Sequence, residues 1–146
     1  MVEKDDVEKT VFFFRYMEES DFYAVSELLA DNFRFFGPLP DPFDKNVWLS
    51  FQKAIQHAFP DWKYHLKKVE KMGDAVEVTV EITGTHLKEL TLPWPLVKPI
   101  PPSGTKIYLP EEKVILKFKN GQLHELHIYS SPHGGFPGLM EQLRVE

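Results

Sequence analysis

Near the end of the chain, Glu125, His127 and Tyr129 alternate along the run LHELHIY, and Ser131 follows two residues further on. Residues two apart share one face of a β-strand, so a carboxylate, an imidazole, a phenol and a hydroxyl would stand in one row. The chemistry such a row offers is proton transfer. Glu125 would hold the His127 ring in one tautomer and raise its basicity, and Tyr129 would donate a hydrogen bond to a developing oxyanion. The same row also suits the solvated face of an antiparallel strand. Leu126 and Ile128 fall on the opposite face, which is apolar and needs cover from helices or from a second subunit.

Other chemistry-bearing residues are more scattered. His86 follows Gly84-Thr85 and either enters a pocket or ends a strand. Trp94, within PWP, either closes over a cavity or packs locally. Lys63, Lys67, Lys68 and Lys71 cluster as the solvated face of a strand would. His124 and His127 are an odd number of residues apart and point to opposite faces. HELH also lacks the HExxH spacing, so no metal site is expected. No GxSxG, P-loop or GxGxxG is present, and no cofactor is expected.

The composition limits the classes further. The chain has 146 residues, the size of one domain spanning 1–146, with 42% hydrophobic residues, enough for a real core. Twelve Phe, five Tyr, three Trp and twelve Pro point to a molecule that shapes space, as a large core or a lined cavity. There is no Cys, which removes disulfides, zinc ribbons and cysteine nucleophiles. A net charge of −5 argues against nucleic-acid binding. MVEKDDVEK lacks the apolar run of a signal peptide, and no stretch is long and apolar enough for a membrane span. A cytoplasmic protein is the expectation.

These residues need elements to position them. Phe12/Tyr16 and Phe13/Met17 are four apart, which predicts a helix over roughly 7–19. Ser20-Asp21 offers an N-cap for a second helix running to about Asn32, followed by a short strand, 33–36. Asp44 caps a third helix whose inward stripe is Trp48, Phe51, Ile55 and Phe59, stopped by Pro60. Phe43 is placed to staple against Trp48. After Pro60 the period changes to two. Residues 62–66 alternate, and Gly73-Asp74 reads as a hairpin turn. Val76, Val78, Val80 and Ile82 face one side of a strand. Residues 105–119 read as strands broken near Pro110, and Asn120-Gly121 is a strong hairpin signal leading into the last strand. The tail LMEQL reads as a short helix. Helices first and antiparallel strands after define an α+β domain.

The order of landmarks completes the picture: FPDW at 59–62, GDAVEV at 73–78, GTHLKE at 84–89, PPSG at 101–104, KFKNGQLHELHIY at 117–129 and LMEQL near the end. Together they resemble the SnoaL-like polyketide cyclases of the NTF2-like superfamily, over about residues 10–143. The resemblance implies an α+β cone, with three N-terminal helices packed on a strongly curved antiparallel sheet that encloses a pocket. It implies Glu125, His127 and Tyr129 as pocket-lining, with Trp48, Phe51, Trp62, His86, Trp94, Tyr108 and Ser131 beside them. It also implies a homodimer through the outer sheet face, carried by Leu126 and Ile128. In the cyclases an aspartate four residues after a tryptophan of the last strand is the acid–base group in ring closure. Here His127 and Ser131 stand at those two places. A serine hydroxyl without a paired base does not abstract protons as a carboxylate does. Two functions are therefore expected. One is a cofactor-independent cyclase, isomerase or dehydratase acting on a hydrophobic organic molecule. The other is a non-catalytic module that binds such a ligand.

Overall fold

A computed structural model describes residues 4–37, 41–94, 98–129 and 131–143, with side chains from residue 6 onward. Part of the proline loop after Gly37 and the centre of the 93–102 stretch lie outside the described residues. Among the described residues there are four helices and eight strands, an α+β arrangement of helices on a mixed sheet.

Helix α1 (Lys4–Glu18) and the short α2 (Phe22–Leu28) come first, and the Asp21 carboxylate caps α2 by accepting from Ala24 N–H. Helix α2 ends four residues earlier than the expected Asn32, because Leu29 already has extended backbone and opens strand β1 (Leu29–Phe36). After the two-residue β2 (Phe43–Asp44), Asp44 caps α3 (Lys45–Ala58) by accepting from Val47 N–H at 2.9 Å. Trp48, Phe51 and Ile55 are all buried along the inward stripe of α3. Phe43 packs against Phe35 and Phe51, with ring centroids 5.7 and 5.8 Å away.

The main sheet runs β2-β1-β8-β7-β4-β3, built also from β3 (Lys68–Met72), β4 (Ala75–Val80), β7 (Glu112–Lys119) and β8 (Gln122–Tyr129). It is not wholly antiparallel as expected: β1 lies parallel to β8. The helix α3 and the later strands intervene between the two, so the chain can return in the same direction. A second, two-stranded sheet pairs β5 (Thr83–Thr85) with β6 (Lys106–Tyr108). Residues 62–66 alternate in burial but form no ladder; Lys63 makes one isolated bridge to Thr83. Asn120 and Gly121 both take positive φ, 53° and 78°, which gives the β7–β8 turn the backbone twist that matches its strands. One register shift follows. Lys117 pairs with Glu125 and Phe118 with Leu123, so His124 is the extra residue of a bulge. Leu123 and Leu126 can therefore both be buried although they are three apart. The chain closes with α4 (Gly135–Leu143).

Candidate functional site

The cavity lies between the inner sheet face and helices α1, α3 and α4. Strand β7 explains its floor. Glu112, Val114, Leu116 and Phe118 alternate inward, and Val114 and Leu116 sit opposite Ile128 and Leu126 of β8. Helix α1 adds Phe13 and Phe14; α3 adds Trp48, Phe51, Gln52 and Ile55; α4 adds Phe136 and Leu139. Trp62 and Tyr64 complete a wall that is almost entirely aromatic or aliphatic, around a volume of about 90 Å³.

Five polar groups interrupt this wall: the Glu112 carboxyl, the Tyr64 hydroxyl, the Gln52 amide and the indole N–H of Trp48 and of Trp62. Glu112 is 2% exposed, and its Oε2 accepts a hydrogen bond from Gly135 N–H at the start of α4. A carboxylate carried to the N-terminus of a helix meets both a free amide and the positive end of the helix dipole. The Tyr64 hydroxyl donates to Gln52 Oε1 at 3.5 Å. Burial pushes the Tyr64 phenol well above its ordinary value, against the opposing pull of the nearby Trp62 and Gln56 side chains, so it stays a neutral donor. The indole N–H groups of Trp48 and Trp62 are buried and have no hydrogen-bond partner among the described residues.

The proton-transfer row expected on β8 is real as a row but faces the other way. Leu126 and Ile128 line the cavity; Glu125, His127 and Tyr129 lie on the outer sheet face. There the His127 ring stacks on Phe36 at 4.4 Å, Tyr129 stacks on His127 at 6.2 Å, and His127 Nε2 meets Glu125 Oε1 at 2.7 Å. The His127 bond, helped by Lys117, holds the Glu125 carboxyl below its ordinary value. The expectation that these three line the pocket is thereby corrected, and so is that of Leu126 and Ile128 as interface residues. Burial of the apolar pair decides the orientation of the strand.

Of the other expected pocket residues, Trp48, Phe51 and Trp62 line the cavity. The rest do not. His86 is fully buried elsewhere, stacked on Phe59 at 5.1 Å with Nδ1 3.1 Å from Ser103 Oγ. Trp94 packs outside the wall, 5.6 Å from Phe51 and 6.1 Å from Phe136. Tyr108 is 61% exposed, and its backbone is clasped by the Gln142 amide of α4. Ser131 Oγ is buried without a partner among the described residues but is not part of the wall. Sequence reading passed over Glu112, Tyr64 and Gln52. The signal for Glu112 was present: it continues inward, in period two, the row Phe118, Leu116, Val114.

A family profile for the SnoaL-like domain matches residues 12–126, well over half of the chain. The chain belongs to the SnoaL-like family. Comparison with curated proteins returned no match. Solved structures resemble this SnoaL-like chain over nearly its whole length. AclR from Streptomyces galilaeus, a proposed hydroxylase, superposes with a TM-score of 0.77 at 14% identity, covering 99% of both chains. A proposed SnoaL-like polyketide cyclase from Jannaschia sp. CCS1 gives 0.76 at 19%, covering 99% of this chain and 95% of its own. IdmH from Streptomyces antibioticus, a proposed polyketide cyclase, gives 0.69 at 20%, covering 95% and 99%. Likeness at such identity shows the fold, and that fold is NTF2-like. Among the described residues no His, Asp or Glu cluster could hold a metal, and no helix is long and apolar enough to cross a membrane.

Proposed function

We propose that this chain encloses a small hydrophobic organic molecule and moves a proton on it without a cofactor, with Glu112 as the acid–base group. The observation that carries this reading is a buried carboxylate on a cavity wall that is otherwise almost wholly apolar. Few convergent polar groups in an apolar concavity are the usual make-up of a small-molecule site. Glu112 would take the proton from a carbon beside a carbonyl. The electron pair would pass to the carbonyl oxygen, and the neutral Tyr64 hydroxyl, turning its one O–H from Gln52 Oε1 to that oxygen, would stabilise the resulting enolate by a hydrogen bond. Return of the proton to another carbon gives an isomer; attack of the enolate on a second carbonyl closes a ring. The role first read onto His127 passes to Glu112 because His127 faces away from the cavity.

The test begins with native mass spectrometry of the purified protein to recover a retained ligand, followed by turnover of that ligand. Glu112→Gln is expected to lower turnover by about 100-fold or more, the usual contribution of a positioned acid–base group. Unchanged turnover by Glu112→Gln would overturn the assignment. A second reading, a binding module, is favoured by the presence of a single carboxylate with no imidazole on the wall. Recovery of the ligand chemically unchanged after prolonged incubation would support it. We also propose a homodimer through the outer sheet face, with Phe36, His127 and Tyr129 in place of the inward-turned Leu126 and Ile128. Tyr129 stands 61% exposed at the end of that stack, an arrangement that a second copy would cover.

A further inference from the structure

The dimensions and donors of the cavity narrow the ligand class, an inference that rests on the proposed pocket function. Sites for drug-sized ligands measure roughly 300–1,000 Å³, and an apolar cavity of about 150 Å³ holds benzene. The void here is about 90 Å³. The walled space takes one ring without displacing side chains. Those walls brace one another, with Phe33 behind them. Trp48 is packed by Phe13 at 5.9 Å and Phe33 at 5.4 Å, Tyr64 by Phe14 at 5.0 Å, and Phe136 by Phe51 at 5.4 Å. Room for a second fused ring would have to come from rearranging side chains that are already in contact, which close-packed interiors resist.

The polar chemistry adds a second restriction. Glu112 presents a carboxylate with lone-pair sites for several bonds, and Gly135 N–H is one donor to it. Trp48 and Trp62 each present an N–H that finds no hydrogen-bond partner among the described residues, and the Trp62 indole lies beside the Tyr64 phenol, which leaves Trp48 the one we assign to the ligand. Leaving a buried donor unpaired is unfavourable, so a ligand acceptor is favoured there. A hydroxyl is the smallest group that both donates and accepts. An anionic ligand would instead bring a charge into an apolar void beside the Glu112 carboxyl. We propose that the site takes a neutral single ring bearing a hydroxyl, a phenol or cyclic enol. Its O–H is donated to Glu112 and its oxygen accepts from the Trp48 indole.

Titration of the folded protein with phenol, toluene, benzoate and 2-naphthol, followed through the indole N–H signals of its three Trp in two-dimensional NMR, tests this. Phenol is expected to move one indole signal downfield and to bind about tenfold more tightly than toluene, benzoate or 2-naphthol. Trp48→Phe should delete that signal and bring the ratio of phenol to toluene affinity from about ten to about one, whatever the smaller ring does to the affinity of both. Ile128→Ala, which widens the wall, should raise 2-naphthol affinity about tenfold while the melting temperature confirms a folded protein. Tighter binding of 2-naphthol than phenol by the unaltered protein would overturn the one-ring limit and leave the pocket reading standing. Equal binding of phenol and toluene would overturn the hydroxyl contact. Failure of every compound to bind the folded protein, Ile128→Ala included, would overturn the pocket function itself.

Discussion

Glu112 occupies a costly place for a carboxyl, since charge transferred from water into an apolar interior is unfavourable unless hydrogen-bonded. The Gly135 amide offsets part of that cost, so the residue that would do the chemistry also secures the start of α4. Glu112→Ala should lose that bond and leave a buried amide unpaired, lowering stability by about 1–3 kcal/mol in urea denaturation. Glu112→Gln keeps an acceptor there and should lose less. His86 gives a different prediction. Burial without contact to the cavity pushes its pKa below the ordinary 6.5, against the opposing backbone bonds of Lys88 and Ile100. The unfolded chain therefore binds the proton more readily than the folded one. Stability should fall as pH drops from about 7 through 6.5 and below. His86→Asn should flatten that part of a melting-temperature profile. Such burial was not legible from the sequence, because GTH reads equally well as a pocket entrance or a strand end. The contacts that settle it, Phe59 and Ser103, lie 27 and 17 positions away.

At the scale of elements, α4 decides whether the cavity is closed. It contributes Gly135, Phe136 and Leu139 to the wall and is tied to β6 by the two Gln142–Tyr108 bonds at 2.8 and 2.7 Å. Its entry is tight. A Cβ on Gly138 would lie 1.9 Å from the His133 carbonyl oxygen, so only glycine fits where the helix folds back on the preceding turn. Gly138→Ala should loosen α4, increase hydrogen exchange across 135–143 and weaken ligand retention, while exchange in β7 and β8 stays slow. The helices and hairpins were largely legible because their signals are local: Asp21 and Asp44 as caps, Asn120-Gly121 as a turn, and the Trp48/Phe51/Ile55 stripe. The parallel β1–β8 pairing and the His124 bulge were not, since neither leaves a local pattern in the chain.

At the scale of the whole molecule, the sheet separates two surfaces. The inner one is the cavity. The outer one carries the Phe36–His127–Tyr129 stack beside Glu125 and Lys117, which lie 3.8 Å apart. If two copies pair through that face, Tyr129→Glu should shift sedimentation from dimer to monomer at micromolar concentration, with ligand binding in the cavity unchanged. A monomeric unaltered protein would refute the pairing. The sequence by itself determined which residues share a face, because alternation along a strand is a property of the backbone and survives any tertiary arrangement. It also determined the α+β order and the SnoaL-like family, both of which are linear patterns. Only the tertiary structure decided which face of β8 looks inward. It also decided that Glu112 rather than His127 reaches the cavity. Those outcomes depend on long-range packing: the helices must first cover one side of the sheet before inside and outside have any meaning, and apolar burial then assigns Leu126 and Ile128 to it.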